Sequence, residues 1–337
     1  MNDRIPSGTR DVLPDEMREL RAMTDRLRGV FDRAGYGEVY TPALEYEQTF
    51  ERAADVAGAR PAYRMFDEQG NVLVLRSDMT VPIARLVANR YGGVQPPLRF
   101  CYLAHAYRGV RPQRGQSREF LQAGVELVGA EAPQGTAEVL SVLCEALDAT
   151  GLLTYRVGVG DASLYPSLLA AHAVDPERRE RILGELVTRD FVGLEREVQA
   201  LGLDAAGTEL LLEVPRTRGG PEVLEGRSGA LETAVSGMRE LHALLAPAVA
   251  ERVIFDLGLV RSLGYYTGAV FQVYDPAHGV PIGSGGRYDE LLGRFGRPLP
   301  AVGFALNVER LHIALAGEER GEFRGVEHPP AGEEAHA

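Results

Sequence analysis

The sequence has few of the residues that build disulfide scaffolds, metal centres or membrane anchors. It contains only two cysteines, Cys101 and Cys144, and both stand among apolar residues, as buried free thiols usually do. No group of cysteines and histidines has the spacing of a zinc site. The first residues lack the apolar region of a signal peptide, and no stretch approaches the roughly 18 apolar residues of a membrane helix. We therefore expect no metal ion, no membrane association and a reducing cytoplasm as the compartment.

Positive charge is also scarce. The 337 residues include 36 lysines and arginines against 48 aspartates and glutamates, which gives a formal net charge of -12. Proteins that grip a nucleic-acid backbone usually present a basic surface, because much of their affinity comes from neutralising phosphates. The acidic total therefore lowers the expectation of tRNA binding without excluding a local basic patch. It is compatible with a protein partner or a small ligand.

What is present is a mixture of helical and strand patterns, with an apolar fraction of 45% that is ordinary for a globular protein. Apolar residues recur at helical spacing in residues 15–34, 79–91, 136–149 and 308–316. Strand patterns occupy residues 38–42, 63–67, 72–76, 98–107, 119–128, 154–159, 253–256, 267–274 and 302–305. Scattered strands joined by long hairpins, with the helices kept apart, predict an α+β fold with a mixed, mostly antiparallel sheet flanked by helices.

The stretch 163–250 differs from the rest of the chain. Leucine, alanine, arginine and glutamate dominate it at helical spacing, and glycines mark its turns. We interpret it as an inserted helical subdomain within a core formed by residues 1–162 and 251–316. The polar tail 317–337, rich in glycine, glutamate, proline and histidine, is predicted to be disordered.

A loop between two predicted strands is the first segment that indicates chemistry. Four arginines, Arg108, Arg111, Arg114 and Arg118, fall within eleven residues there. The planar guanidinium pairs bidentately with carboxylate or phosphate, so arginines at strand ends can form an anion clamp. The alternative is a solvated polar hairpin loop, and composition alone does not separate the two.

Six segments, taken in order, resemble the catalytic core of the histidyl-tRNA synthetases, which belong to the class II aminoacyl-tRNA synthetases. The resemblance spans about residues 5 to 316 and is specific because all six segments are in register. They are PSGTRD at 6–11, LRSDMT at 75–80, YRGVRPQRGQSREF at 107–120, VRSLGYYTG at 260–268, GSGGRYD at 283–289 and VGFALNVERL at 302–311. The resemblance implies a class II synthetase-like core that forms a dimer through its first helix and strand.

The same resemblance implies a histidine pocket with an anionic end. By matched position, Asp78 and Thr80 would meet the amino group of histidine, and Gln122 and Glu126 would lie on the strand beneath it. An ammonium group taken from water needs such anions and acceptors around it. Asp78 could instead cap a helix, and Glu126 could lie on a solvated strand face.

The opposite end of the implied pocket is cationic and aromatic. Arg108 would face the carboxylate or an α-phosphate, Arg261 would lie near the reacting carboxylate, and Tyr265 and Tyr266 would enclose the imidazole. A zwitterion with an imidazole ring fits such a set of side chains. The alternative for the two tyrosines is packing in a core, and the glycines of residues 283–286 could simply shape a turn.

The departures from the synthetase pattern indicate that amino-acid activation has been lost. Val110 replaces a glutamate that helps to hold ATP, Gln116 replaces an arginine of the same loop, Gly264 replaces an aspartate and Gln272 a glutamate. Adenylation depends on fixed charges around a triphosphate and its metal ions. We therefore expect no catalytic residues and no cofactor, although Arg118 and Arg310 could retain some affinity for anions.

The second departure is the absence of the anticodon-binding domain that follows the closing helix in the synthetases, since only a polar tail follows Ala316. Together, the departures resemble the regulatory subunits of ATP phosphoribosyltransferase. That family implies a short-form catalytic subunit as partner in a hetero-oligomer, usually an octamer. It also implies a part in the first step of histidine biosynthesis, with feedback inhibition by free histidine and no tRNA. A degenerate or truncated synthetase that still forms histidyl-adenylate, or a ligase that modifies a protein, are the alternatives.

Overall fold

The computed structural model describes residues 5–53, 62–109, 117–260 and 264–320. Its helices are α1 (Pro14–Arg33), α2 (Glu47–Ala53), α3 (Thr80–Arg90), α4 (Gln134–Thr150), α5 (Leu164–Ala171), α6 (Pro176–Thr188), α7 (Phe191–Gln199), α8 (Ala205–Glu213), α9 (Glu232–Leu244), α10 (Pro247–Ala250), α11 (Leu291–Arg294) and α12 (Val308–Glu319). Its strands are β1 (Gly37–Glu38), β2 (Leu44–Tyr46), β3 (Arg64–Phe66), β4 (Val72–Leu75), β5 (Leu98–Tyr107), β6 (Glu119–Val128), β7 (Arg156–Asp161), β8 (Arg218–Gly219), β9 (Val253–Asp256), β10 (Ala269–Asp275), β11 (His278–Arg287) and β12 (Ala301–Asn307). Among the described residues, every helix is too short or too polar to cross a lipid bilayer.

A nine-stranded sheet in the order β1-β5-β6-β12-β11-β10-β7-β9-β8 is the centre of the fold. Of its neighbouring pairs, β1 with β5 and β7 with β9 are parallel, and the remaining pairs are antiparallel. The α+β class and the mostly antiparallel sheet predicted from the sequence are therefore confirmed.

One face of the sheet is covered by α1, α4 and α12. The apolar stripe of α1, which includes Leu20, Leu27 and Phe31, is buried against α4 and β6. The phenyl rings of Phe31 and Phe304 meet edge to face with centroids 6.0 Å apart, which joins α1 to β12. This face carries the larger of two hydrophobic clusters, so the opposite face of the central strands is free to hold polar side chains.

Helices fill most of the stretch 163–250, as its composition predicted. Asp175, Asp190 and Asp204 each accept backbone N–H bonds at the start of a helix, which explains where α6, α7 and α8 begin. The leucines of these helices belong to the same hydrophobic cluster as β7 and β9, and β8 pairs directly with β9. The separate subdomain stays a prediction. The closing helix is longer than predicted, because α12 continues to Glu319, and residues 321–337 of the predicted tail lie outside the described residues.

A second, three-stranded sheet in the order β2-β4-β3 stands beside α2 and α3. It contains the predicted hairpin of β3 and β4, whose turn is closed by Asp67, the acceptor for the N–H groups of Gln69 and Asn71. Where β4 ends, the chain passes through Arg76, Ser77 and Asp78 into α3 and so reaches the open face of the large sheet.

Candidate functional site

A pocket lies on the face of the large sheet that α1 and α4 leave open. Its floor is formed by β6, β11 and β12, and its walls by the start of α3, the end of β5 and the segment before β10. The empty space, including its mouth and the adjoining solvent, is about 450 Å³. Its lining consists of Asp78, Met79, Thr80, Tyr102, Arg108, Gln122, Glu126, Tyr265, Tyr266, Ser284, Gly285, Tyr288, Gly303, Phe304 and Ala305.

Glycines on the floor let longer side chains lie flat against the sheet. A Cβ atom at Gly303 would stand 1.9 Å from a carboxylate oxygen of Glu126 and 2.5 Å from the carbonyl oxygen of Val125. At Gly286 it would stand 2.8 Å from the ring of Tyr266. These glycines are needed for the close approach of side chains, and the motif glycines therefore do more than shape a turn.

Glu126 is the most deeply buried charged group of the pocket, with only 1% of the residue exposed. The Thr80 hydroxyl donates to its Oε1 at 2.7 Å, and the Tyr288 hydroxyl donates to its Oε2. Burial raises the pKa of Glu126 to about 8; the two hydroxyl donors oppose this rise, and the neighbouring charge of Asp78 adds to it. The solvated strand face considered for Glu126 is therefore wrong.

Asp78 supplies a second carboxylate close to Glu126. It is 8% exposed, and its Oδ1 accepts the N–H of Val81 at 3.1 Å in the first turn of α3. Asp78 therefore caps the start of α3 and also lines the pocket, while its contact with an amino group stays a prediction. Gln122 lies nearby on β6, and among the described residues its buried Oε1 has no hydrogen-bond partner. An ammonium group is the natural complement of these acceptors.

Aromatic rings form a further part of the pocket lining. The rings of Tyr265 and Tyr266 are tilted with centroids 4.9 Å apart, and Tyr265 meets Tyr288 edge to face at 5.8 Å. Tyr265 also belongs to the smaller hydrophobic cluster, with Met79 and Tyr102. Tyr265 therefore packs in a hydrophobic cluster and also lines the pocket. Aromatic rings of this kind suit a flat heterocycle.

Arg108 adds a cation to the pocket lining. The Arg108 guanidinium carbon lies 4.8 Å from the centre of the Phe120 ring, and the Arg108 backbone N–H donates to the Arg118 carbonyl oxygen at 2.8 Å. Stacking on an aromatic ring orients a guanidinium group and leaves its positive charge available for an anion. The pocket therefore presents two carboxyl groups, tyrosine rings and a guanidinium to one small space. Among the described residues, no group of three His, Cys, Asp or Glu side chains could hold a metal ion.

Comparison with known proteins shows what this arrangement is similar to. The histidyl-tRNA synthetase family model matches residues 8–311. An ATP phosphoribosyltransferase regulatory subunit from Desulforamulus reducens is 39% identical over 93% of this chain and 79% of the relative. A protein of the same name from Symbiobacterium thermophilum is 41% identical over 94% of this chain and 81% of the relative. The chain belongs to the family of ATP phosphoribosyltransferase regulatory subunits.

Solved structures agree with this family. A structure described as an ATP phosphoribosyltransferase regulatory subunit/histidyl-tRNA synthetase from Bacillus halodurans is 34% identical, with a TM-score of 0.85 over 93% of this chain and 84% of that one. The histidyl-tRNA synthetase of Nostoc sp. PCC 7120, at 21% identity and a TM-score of 0.78 over 95% of this chain and 76% of that one, shows the shared fold. The class II synthetase-like core expected from the six segments is thus confirmed.

The pocket of this regulatory-subunit family member gathers most of the residues singled out in the sequence. Asp78, Thr80, Arg108, Gln122, Glu126, Tyr265 and Tyr266 all line it. Arg261 and the substituted loop positions Val110 and Gln116 lie outside the described residues. Gln272 lies on β10, where its Oε1 accepts the Tyr274 hydroxyl.

The two arginines considered for residual anion binding are not among the described residues that line the pocket. Arg118 stands next to the N-terminal segment, where its N–H donates to the Gly8 carbonyl oxygen at 2.8 Å. Arg310 donates to the Pro281 carbonyl oxygen at 2.8 Å, and burial lowers its pKa. Their contact with an anion stays a prediction.

Sequence reasoning missed several lining residues. Tyr288 stands in the quoted segment 283–289 but received no role, and Tyr102 was seen only as part of a strand. Alternation along β5 and β6 could have found Tyr102, because it pairs with Gly124 on the side of the sheet that carries Gln122 and Glu126. Nothing local indicates that the Tyr288 hydroxyl reaches a carboxylate 162 positions away.

Proposed function

We propose that this chain is a non-catalytic regulatory subunit that binds free histidine in this pocket and acts with the catalytic subunit of ATP phosphoribosyltransferase in the first step of histidine biosynthesis. The observation that carries the proposal is the pair of buried carboxyl groups, Asp78 and Glu126, which lines one pocket together with tyrosine rings and Arg108. Burying two acidic groups together is costly unless a cation or a proton neutralises them. A histidine zwitterion brings the cation to the pocket.

Each part of histidine has a complement in this arrangement. The α-ammonium group fits the carboxylate of Asp78 and the unpartnered Oε1 of Gln122. The α-carboxylate fits the guanidinium of Arg108. The imidazole, flat and polar at both nitrogens, fits the rings of Tyr265 and Tyr266.

Regulation requires more than binding. Histidine inhibits the complex only if it binds the inhibited state more tightly than the active one, because equal affinity for both states shifts no population. A coupling free energy of about 1–3 kcal/mol between the pocket and the catalytic subunit would be typical. The partner we propose is a short-form catalytic subunit in a hetero-octamer, and we propose no contact with tRNA.

We also propose that two copies of the chain associate as a dimer through the region of the first helix and strand. The three-stranded sheet, whose strand β2 follows β1 in the chain, supports self-association. The strand register places Leu44, Tyr46, Met65, Leu73 and Leu75 on one side of that sheet. Leu44 is 43% and Tyr46 54% exposed, and exposed apolar patches usually mark an interface. Sedimentation of the wild type against Tyr46→Glu tests this, and a monomeric wild type would contradict it.

The compartment we propose is the cytoplasm. Cys101 and Cys144 are both buried free thiols, and burial raises the pKa of Cys101 to about 12 and that of Cys144 to about 11. Such thiols are inert, and they are compatible with a reducing environment.

The decisive experiment is a calorimetric titration of the full chain with histidine. We expect saturable binding by the wild type and loss of most of it in Asp78→Ala, because the ammonium group loses its carboxylate partner. The matched control is Asp32→Ala, an exposed aspartate in α1 away from the pocket. A wild type that binds no histidine, or an Asp78→Ala variant that binds as tightly as the control, would contradict the proposal.

The regulatory part of the proposal is tested by mixing the chain with a short-form catalytic subunit and measuring phosphoribosyl transfer. We expect the rate to rise on mixing and to fall when histidine is added. A mixture with neither effect would contradict the regulatory role. Histidine-dependent pyrophosphate exchange by the chain alone would favour the degenerate synthetase instead, since that reaction reports adenylate formation.

A further inference from the structure

Arg76 is a buried cation between β4 and α3, and it does not line the pocket. Only 3% of it is exposed. Its Nε donates to the His105 carbonyl oxygen at 2.7 Å, and its Nη1 donates to the Thr41 carbonyl oxygen at 2.5 Å. The planar guanidinium therefore ties together two segments that are far apart in the sequence.

The backbone of Arg76 makes the same two connections. Its N–H donates to the Ala43 carbonyl oxygen at 2.9 Å, and its carbonyl oxygen accepts the Tyr107 N–H at 2.9 Å. Side chain and backbone together thus fix the segment at residues 41–43 and the end of β5 at residues 105–107 relative to one point.

Arg76 connects the two charged groups of the pocket, Asp78 and Arg108. Asp78, which we propose for the ammonium group, follows Arg76 by two residues. Arg108, which we propose for the carboxylate, follows Tyr107 directly. Arg76 is therefore covalently close to one group and hydrogen-bonded to the residue that precedes the other.

The charge of Arg76 is not explained by an ion pair. Within the described ranges its guanidinium donates to carbonyl and hydroxyl oxygens, while the nearby carboxylate of Glu45 accepts hydrogen bonds from Arg85 at 2.6 Å and 2.9 Å. Burying a guanidinium costs free energy that neutral acceptors offset only when the geometry is good. The side chain at this position uses the planar, rigid guanidinium group of arginine, whose several N–H donors reach acceptors in two segments.

We infer that Arg76 is a positioning residue that sets the separation between the ammonium-binding arm at Asp78 and the carboxylate-binding arm at Arg108. This inference rests on the proposed histidine binding. The two groups of an amino acid are attached to one carbon atom, so an error of about 1 Å in the spacing of their partners costs affinity steeply. The residues proposed for the ring, Tyr265 and Tyr266, lie in the segment before β10, whereas the hydrogen bonds of Arg76 described above go to residues 41–43 and 105–107.

The test compares ligands that carry different parts of histidine. Histidine, histamine and 4-methylimidazole are titrated into the full chain, the last of these presenting only the ring. In Arg76→Met we expect the affinity for histidine to fall about tenfold or more, which is about 1.4 kcal/mol, while the affinity for 4-methylimidazole changes less than about twofold. Arg76→Lys, which keeps the charge but not the fork, should give an intermediate loss for histidine alone.

The matched control is Arg85→Met, which removes a cation from the same region by breaking its pair with Glu45. If loosening of this region were the whole effect, Arg85→Met would reproduce the ligand pattern of Arg76→Met, and the inference would be overturned. An equal loss for histidine and 4-methylimidazole, or no loss for either, would overturn it as well. Should Arg76→Met not fold by circular dichroism, the comparison rests on Arg76→Lys. A wild type that binds no histidine refutes the proposed function, whereas unchanged binding by the Arg76 variants refutes only the positioning role.

Discussion

Histidine binding should release a proton from the protein, and Glu126 is the group that determines how much. Burial raises its pKa to about 8, so at pH 7.5 about three quarters of the empty pockets hold it protonated. An incoming ammonium group stabilises the carboxylate and lowers that pKa. If the pKa falls well below 7, about 0.75 proton leaves for each histidine bound. Free imidazole, with an ordinary pKa near 6.5, is only about one tenth protonated at this pH and so can release at most about 0.1 proton.

The assay is calorimetry at pH 7.5 in buffers with different ionisation enthalpies, because the slope of the observed heat against that enthalpy counts the protons released. Glu126→Gln removes the titrating group while keeping a similar shape, so its slope should fall nearly to zero. The same linkage predicts that histidine affinity rises between pH 6.5 and 8 in the wild type and less in the variant. A wild-type slope near zero, or an equal slope in Glu126→Gln, would refute the reasoning.

Three further predictions concern the floor and support of the pocket. The raised pKa of Glu126 means that the folded chain binds more protons than the unfolded chain between pH 4.5 and 8. This group's contribution to stability therefore falls as pH rises, by at most about 1.4 kcal/mol per pH unit. In chemical denaturation, the unfolding free energy of Glu126→Gln relative to the wild type should be higher at pH 8 than at pH 5.5, and an equal difference at both pH values would contradict this. Gly303→Ala should lower the unfolding free energy by about 1–3 kcal/mol and abolish histidine binding, because its Cβ would meet the Val125 carbonyl at 2.5 Å, whereas Gly279→Ala, with open space around it, should do neither in the same melts. Tyr288→Phe removes a donor from the Glu126 carboxylate and should weaken histidine binding about tenfold by calorimetry; an unchanged affinity would show that this hydrogen bond does not matter.

The elements predicted most accurately are those whose pattern is set by local burial. Both β5 and β6 match their predicted bounds, because they alternate between a packed face and the pocket face. The helix α1 was predicted to within one residue at each end, since its apolar stripe repeats at helical spacing. By contrast β11 was missed, because the glycines that its close neighbours require make it look like a turn. The strand predicted at residues 38–42 is shorter and earlier in the structure, because β1 extends only over Gly37–Glu38, where it pairs with β5. The two-residue strand β8 was not predicted, because it depends on pairing with β9.

The site could be predicted from the sequence only as far as matched positions carry it. Asp78 and Glu126 were found that way, but their separate roles depend on burial and on the hydroxyl of Tyr288, which come from three-dimensional packing. Arg76 was not singled out at all. Its hydrogen bonds reach carbonyl groups 29 and 35 positions away, and carbonyl groups leave no mark in a sequence.

The shared hydrophobic cluster has a consequence for anyone who would edit the helical stretch 163–250. Leu168 and Val235 from that stretch belong to one hydrophobic cluster with Val157 and Phe255 from the sheet. Trimming or transplanting these helices would strip the underside of β7 and β9 and leave apolar strands facing water. Because β7 pairs with β10 and β10 pairs with β11, loss of packing under β7 would disturb the strand β11 of the pocket floor through one intervening strand.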